Sequence, residues 1–179
     1  MTTNRNQYKL IKTSVIFFFV LLESCLTGGT HGSIKSYKYP TSKYKLQRAV
    51  EHLISVDNLF RRDTGNNYMV DKSGGGYDTI FDNGYNDGER YITFQLKVDG
   101  GSNEYTIHYL GDKEHWDTAT YAELSVVYAY DKEGHGGSEG NGGINWYDWR
   151  LKKRIISPFE EEFIFRVDQE LNLTHVVTK

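Results

Sequence analysis

Between Asp131 and Gly143 the chain reads DKEGHGGSEGNGG, placing Asp131, Glu133, His135, Glu139 and Asn141 within a few residues of one another. Carboxylate and amide oxygens at that density are what a hard divalent cation such as calcium requires. Against this, six of the thirteen residues are glycine, and glycine loses the most conformational freedom on ordering. The stretch is therefore expected as a mobile hairpin tip without a metal; Asp131, Glu133, Glu139 and Asn141 are the ligands a calcium ion would draw on. It is not a phosphate cradle, because no Gly-Lys-Ser/Thr enters a helix. The earlier DNGYNDGERY fails as a calcium loop, since Asp87 stands where glycine is needed and Thr93 where glutamate is needed.

A second constellation is KEHWD, with His115 between Glu114 and Asp117. A histidine–carboxylate pair can move protons. No nucleophile accompanies it: the sole thiol is Cys25, and neither a Gly-x-Ser-x-Gly elbow nor a His-Glu-x-x-His zinc motif occurs. A histidine capping a loop is the expectation, and a hydrolase using His115 with Glu114 or Asp117 is the alternative.

A third is INWYDWRLKKR, which sets Trp146, Tyr147 and Trp149 beside Arg150, Lys152, Lys153 and Arg154. Flat aromatic surface with positive charge can stack a sugar ring, hold an anionic glycan or anchor a partner protein. The simpler reading puts the tryptophans in the core and the basic residues on a solvated face. Trp146, Tyr147, Trp149 and Arg150 are the contact candidates.

The elements that must position these groups follow from periodicity. In TSKYKLQRAVEHLIS, Leu46, Ala49, Val50, Leu53 and Ile54 recur at helical spacing, with Thr41 or Ser42 as cap and Lys43, Lys45, Arg48 and Glu51 on the solvent side. The period then switches to two. Ile92, Phe94, Leu96 and Val98 alternate with polar residues; Tyr105, Ile107 and Tyr109 share a face, as do Ala122, Leu124, Val126, Tyr128 and Tyr130. NYMV and YDTIF are weaker strand candidates. Short turns between these runs imply antiparallel neighbours. SPFEEEFIFRVDQEL predicts a last helix capped by Ser157, with Pro158 in its first turn, Glu160 completing a capping box, and Phe163, Ile164, Val167 and Leu171 as its apolar face. The expected class is α+β: an antiparallel meander of three to five strands against an N-terminal and a C-terminal helix.

The totals narrow the function. A chain of 179 residues suits one domain, and a formal charge of −3 lacks the basic footprint of a nucleic-acid binder. A single cysteine excludes an internal disulfide. Arg5, Lys9 and Lys12 precede the apolar run VIFFFVLL, which ends in Leu22-Glu23-Ser24-Cys25. This order resembles the bacterial lipoprotein signal peptide, whose lipobox has an aliphatic residue three before the cysteine and a small one just before it. The resemblance covers only about the first 25 residues. It implies cleavage before Cys25, a diacylglycerol thioether on that residue, and a tether over residues 25–40 leading to a domain over 41–179. Removing residues 1–24 takes away Arg5, Lys9, Lys12 and Glu23, a net +2, and carries the formal −3 to −5. Leu26 after the cysteine lacks the inner-membrane retention aspartate, and no acidic cluster of the kind some Bacteroidetes use for surface export follows. The expected place is thus the envelope, at the outer membrane facing the periplasm. The expected role is binding, accessory or protective work on an envelope protein or glycan, with no cofactor beyond the lipid. An envelope hydrolase or a periplasmic immunity-type protein is the alternative.

Overall fold

The computed structural model describes residues 32–63, 89–140, 143–145 and 147–179, together with the backbone of 67–72 and 76–81. Its elements run β1 (Lys35–Tyr39), α1 (Lys43–Val56), β2 (Phe60–Arg62), β3 (Asn67–Lys72), β4 (Gly76–Phe81), β5 (Tyr91–Val98), β6 (Gly101–Tyr109), α2 (Lys113–Thr118), β7 (Ala122–Tyr130), β8 (Gly136–Gly137), α3 (Trp149–Pro158), a π-helical segment (Phe159–Ile164), α4 (Phe165–Leu171) and β9 (Val176–Val177). The class is α+β. The main antiparallel sheet has the order β2-β5-β6-β7-β1-β9, with β8 on β7 beyond the end of β1.

The β5-β6-β7 meander is the expected one. The tether assignment is corrected: residues 35–39 form a strand between β7 and β9, because Tyr37 and Tyr39 alternate into the core and leave no reason to stay in water. NYMV and YDTIF pair with each other, Asn67 opposite Phe81, as a separate two-stranded sheet.

One face of the main sheet carries Tyr37, Tyr39, Ile92, Phe94, Leu96, Tyr105, Ile107, Leu124 and Val126, all fully buried. Across it lies α1, burying Leu46, Ala49, Val50, Leu53 and Ile54 as its spacing predicts, with Ser42 Oγ accepting from the Lys45 N–H. Lys43 is an exception to the expected solvent side. It is only 2% exposed, its ammonium lies 4.0 Å from the Trp116 ring centroid, and it donates to Gln47 Oε1 at 2.7 Å. A buried ammonium needs such partners, and a desolvated indole face is a strong one.

Strand β7 also departs from simple alternation. Thr106 pairs with Tyr128 while Ile107 pairs with Val126, so Val127 is an extra residue and the register bulges. Beyond it the faces exchange: Ala129 enters the core, and Tyr128 and Tyr130 turn away from the face that Leu124 and Val126 occupy.

The C-terminal helix starts at Trp149, not at Ser157, so the expected capping box is overturned and Pro158 lies inside the helix. Its apolar residues Ile155, Phe159, Phe163, Val167 and Leu171 are four apart, and each such step overshoots a straight α-helix by about 40°. The wider turns of the π segment unwind that drift, which keeps all five on the sheet. Phe163 thereby packs with its ring centroid 4.6 Å from that of Phe94, tilted by 33°, and Phe159 lies 4.9 Å from Tyr105. Asn172, at φ 52, ends the helix, donating its N–H to Asp168 and Gln169 carbonyls. Among the described residues no helix is long and apolar enough to cross a membrane.

Candidate functional site

Starting the last helix at Trp149 changes what its first turns present. Trp149, Lys152, Lys153, Ile156, Ser157 and Glu160 fall at i, i+3, i+4, i+7, i+8 and i+11, one stripe on one side. That stripe forms one wall of a groove of about 420 Å³, and Ile34, Lys35 and Lys179 form the other. Ile34 and Lys35 are brought there by the start of β1, and Lys179 by the residues after β9. The size lies within the range usual for small-ligand pockets, about 300–1,000 Å³.

Trp149 is 62% exposed and Tyr147 is 59% exposed, so neither ring completes the core. This overturns the core reading for Trp149. The Arg150 guanidinium lies 5.4 Å from the Trp149 ring centroid, and Arg150 itself is exposed. Trp146 lies outside the described residues.

The charges around the groove are partly paired. Lys35 Nζ meets Glu160 Oε1 at 2.5 Å, and Lys152 Nζ lies 3.5 Å from Glu139 Oε1, whose other oxygen accepts from Lys179. Lys153 is exposed and makes no ion pair among the described residues. Four ammonium groups thus face two carboxylates, leaving the groove cationic. Below it, Tyr37 donates to Glu160 Oε1 at 3.1 Å; burial first and then the Glu160 carboxylate push this hydroxyl far above the ordinary tyrosine range, so it stays a donor. Ligand-facing basic groups on a stiff helix and strand, beside an open indole, can hold an anion and a flat apolar surface at once.

The glycine stretch does something else. Its turn is closed by Asp131, whose side chain is 4% exposed. Asp131 Oδ1 accepts the N–H groups of His135 at 2.8 Å and Glu133 at 3.0 Å, and Oδ2 accepts from Arg154. Burial alone would raise this carboxyl, but the two N–H donors and the guanidinium outweigh it and hold it below the usual carboxylate range. Past the turn the chain doubles back: Gly136 and Gly137 pair with Tyr130 and Ala129, and Glu139 bridges both Gly32 and Ile144. A Cβ on Gly136 would lie 2.0 Å from the Ala129 carbonyl oxygen, so glycine is needed there for close backbone approach. The segment expected as a hairpin tip therefore contributes a two-residue strand to the sheet and, beside it, two isolated bridges through Glu139.

Asp131, Glu133 and His135 do converge, with ligand atoms within 4.8 Å of one another. Yet both Asp131 oxygens are already engaged, one by a cation, and a metal would sit against the Arg154 guanidinium. Glu139 points to Lys152 and Lys179 instead, and Asn141 lies outside the described residues. The calcium candidates are thus split, and Asp131 serves as the clamp of its own turn.

His115 is likewise drawn into structure. Helix α2 replaces the expected loop, with the Asp112 side chain accepting the His115 N–H at 2.9 Å. The imidazole meets Tyr121 edge-on at 5.5 Å, and Asp117 accepts from Tyr44 at 3.0 Å. Among the described residues neither Glu114 nor Asp117 hydrogen-bonds the ring. Carboxylates stand beside other histidines instead: exposed His52 Nδ1 meets Glu170 Oε1 at 3.0 Å, and the more sheltered His175 has its Nδ1 3.0 Å from Asp168 Oδ2 and its ring packed on Tyr37 and Tyr39. The latter pair straps the segment before β9 to α4. Ile34, Lys35 and Lys179 escaped the sequence reading of this face because they lie outside the helix that carries Trp149; the 149–160 stripe, Glu160 included, was the available signal. Cys25 lies outside the described residues. Compared with protein-family models, with curated proteins and with solved structures, the chain matches none.

Proposed function

We propose that this chain is a lipid-anchored protein of the bacterial envelope whose domain binds an envelope protein or glycan and performs no catalysis. Its leader supports the anchor: a basic start, an apolar run and Cys25 in the lipoprotein order. Acyl chains on Cys25 hold the domain at the outer membrane, facing the periplasm, since each buried methylene contributes about 0.8 kcal/mol and two or more chains give stable attachment. Confinement to that surface raises the effective concentration of the domain near its partners. The observation that carries the binding role is the exposed Trp149 indole at the mouth of a cationic groove, where a purely structural tryptophan would be buried.

Metabolic labelling with a radioactive fatty acid tests the anchor. Wild-type protein takes label and fractionates with membranes, whereas Cys25→Ala takes none and becomes soluble; labelling that survives the substitution ends the lipoprotein reading. Capture from native envelopes with wild-type protein and Trp149→Ala tests the face. A partner retained equally by both removes the groove from the binding role.

A further inference from the structure

We propose that the groove between α3 and the β1/β9 edge binds an acidic sugar unit, its ring lying on Trp149 and its carboxylate or other anionic group held by Lys152 and Lys153. This rests on the binding role above and names the ligand class. Three features select it. Trp149 offers a broad indole surface that a bare anion would not need. The floor is apolar where Ile34 and Ile156 approach, and Ser157 adds a hydroxyl at the rim, a mixture suited to a ring with one C–H-rich face and several hydroxyls. The ammonium groups are unevenly committed. Lys35 is held by Glu160 at 2.5 Å, while Lys152 is only loosely held by Glu139 at 3.5 Å and Lys153 has no ion pair among the described residues. The last two are one turn from Trp149 on the same helix face, so an anion held by them lies beside the stacked ring. Glu160 and Glu139, in turn, can accept from sugar hydroxyls while repelling a ligand with its charges elsewhere.

The test uses the full chain in non-ionic detergent, titrated by calorimetry and indole fluorescence with tetragalacturonate, with neutral maltotetraose and with inorganic phosphate. Saturable binding of tetragalacturonate is expected, with both controls at least about tenfold weaker. Trp149→Ala should lower affinity about tenfold, and Trp149→Phe should recover part of it, because a flat ring returns. Lys153→Glu, on an exposed side chain, should weaken binding by a similar factor and flatten its salt dependence. Thermal unfolding of each variant confirms that the fold is kept. No binding of tetragalacturonate, affinity unchanged in Trp149→Ala, or phosphate binding as tightly each overturns the proposal. An envelope protein captured through Trp149 with no oligosaccharide bound overturns the sugar class and leaves the binding role standing; failure of both probes removes both.

Discussion

Replacing Asp131 measures how far the glycine stretch depends on one carboxylate. Its two backbone N–H bonds, at 2.8 and 3.0 Å, are charge-assisted, and such bonds contribute about 1.5–3 kcal/mol each. The released N–H groups lie in a surface turn and regain water, which returns part of that sum. The Arg154 pair adds less, about 0.2–1 kcal/mol, because the guanidinium side is 56% exposed and screened. Asp131→Ala should therefore destabilise the domain by about 3 kcal/mol. In a domain of this size that lowers Tm by about 6–12 °C. Asp131→Asn keeps a neutral acceptor for both N–H groups and should lose about half as much. The pH dependence has a definite sign. The folded carboxyl titrates below its unfolded value of about 3.9, so its stabilisation is present above that pH and is lost as pH falls through the folded pKa. The difference between wild type and Asp131→Asn should hold steady from about pH 5 to 7 and close below about pH 4. Urea unfolding of a form beginning at Leu26, followed by far-ultraviolet circular dichroism across this range, supplies the numbers. A loss under about 0.5 kcal/mol for Asp131→Ala refutes the clamp. So does calcium that stabilises wild type by a kcal/mol or more and leaves the alanine variant untouched, since a ligand specific to the folded state must raise its stability.

Trp116→Ala removes a buried indole that also faces the Lys43 ammonium and donates to the Leu110 carbonyl at 3.0 Å, so a loss of about 3–5 kcal/mol is expected by urea unfolding. Trp116→Phe keeps a ring over the ammonium and should lose clearly less. Alkaline titration followed at the tyrosinate absorbance should leave Tyr37, Tyr39, Tyr105 and Tyr109 unionised until the fold opens, because burial above all raises each of them. Since the folded state keeps those protons, stability should be full below about pH 10 and fall above it; a flat stability to higher pH contradicts the burial of these hydroxyls.

Much of the frame was legible in local pattern. Leu46 to Ile54 at helical spacing gave α1, and Ile92 to Leu96 with Tyr105 to Tyr109 gave two core strands, because a repeat of 3.6 or 2 needs nothing beyond the neighbouring residues to declare its buried side. The order of charged and apolar residues ahead of Cys25, on which the proposed anchor rests, is a matter of the letters alone. Long-range pairing was not. Residues 35–39, Lys-Ser-Tyr-Lys-Tyr, mix two lysines and a serine with their tyrosines and read as linker until β7 and β9 claim both their edges. Ser157-Pro158 spells a helix start, yet packing against the sheet carries the helix through it, and the π turn then brings residues four apart onto a single face. Lys43 stands three before Leu46 and seven before Val50, on the apolar side of α1; its charge argues for water, and only the arrival of Trp116 from between β6 and β7 makes its burial tolerable. The groove has the same origin: one wall is a helical stripe that a reader can find, but Ile34 and Lys35 join it across more than a hundred residues of chain and Lys179 from beyond β9. Side-chain identity sets which faces seek shelter, and the tertiary fold alone decides which distant groups provide it, since that choice depends on closing the chain on itself.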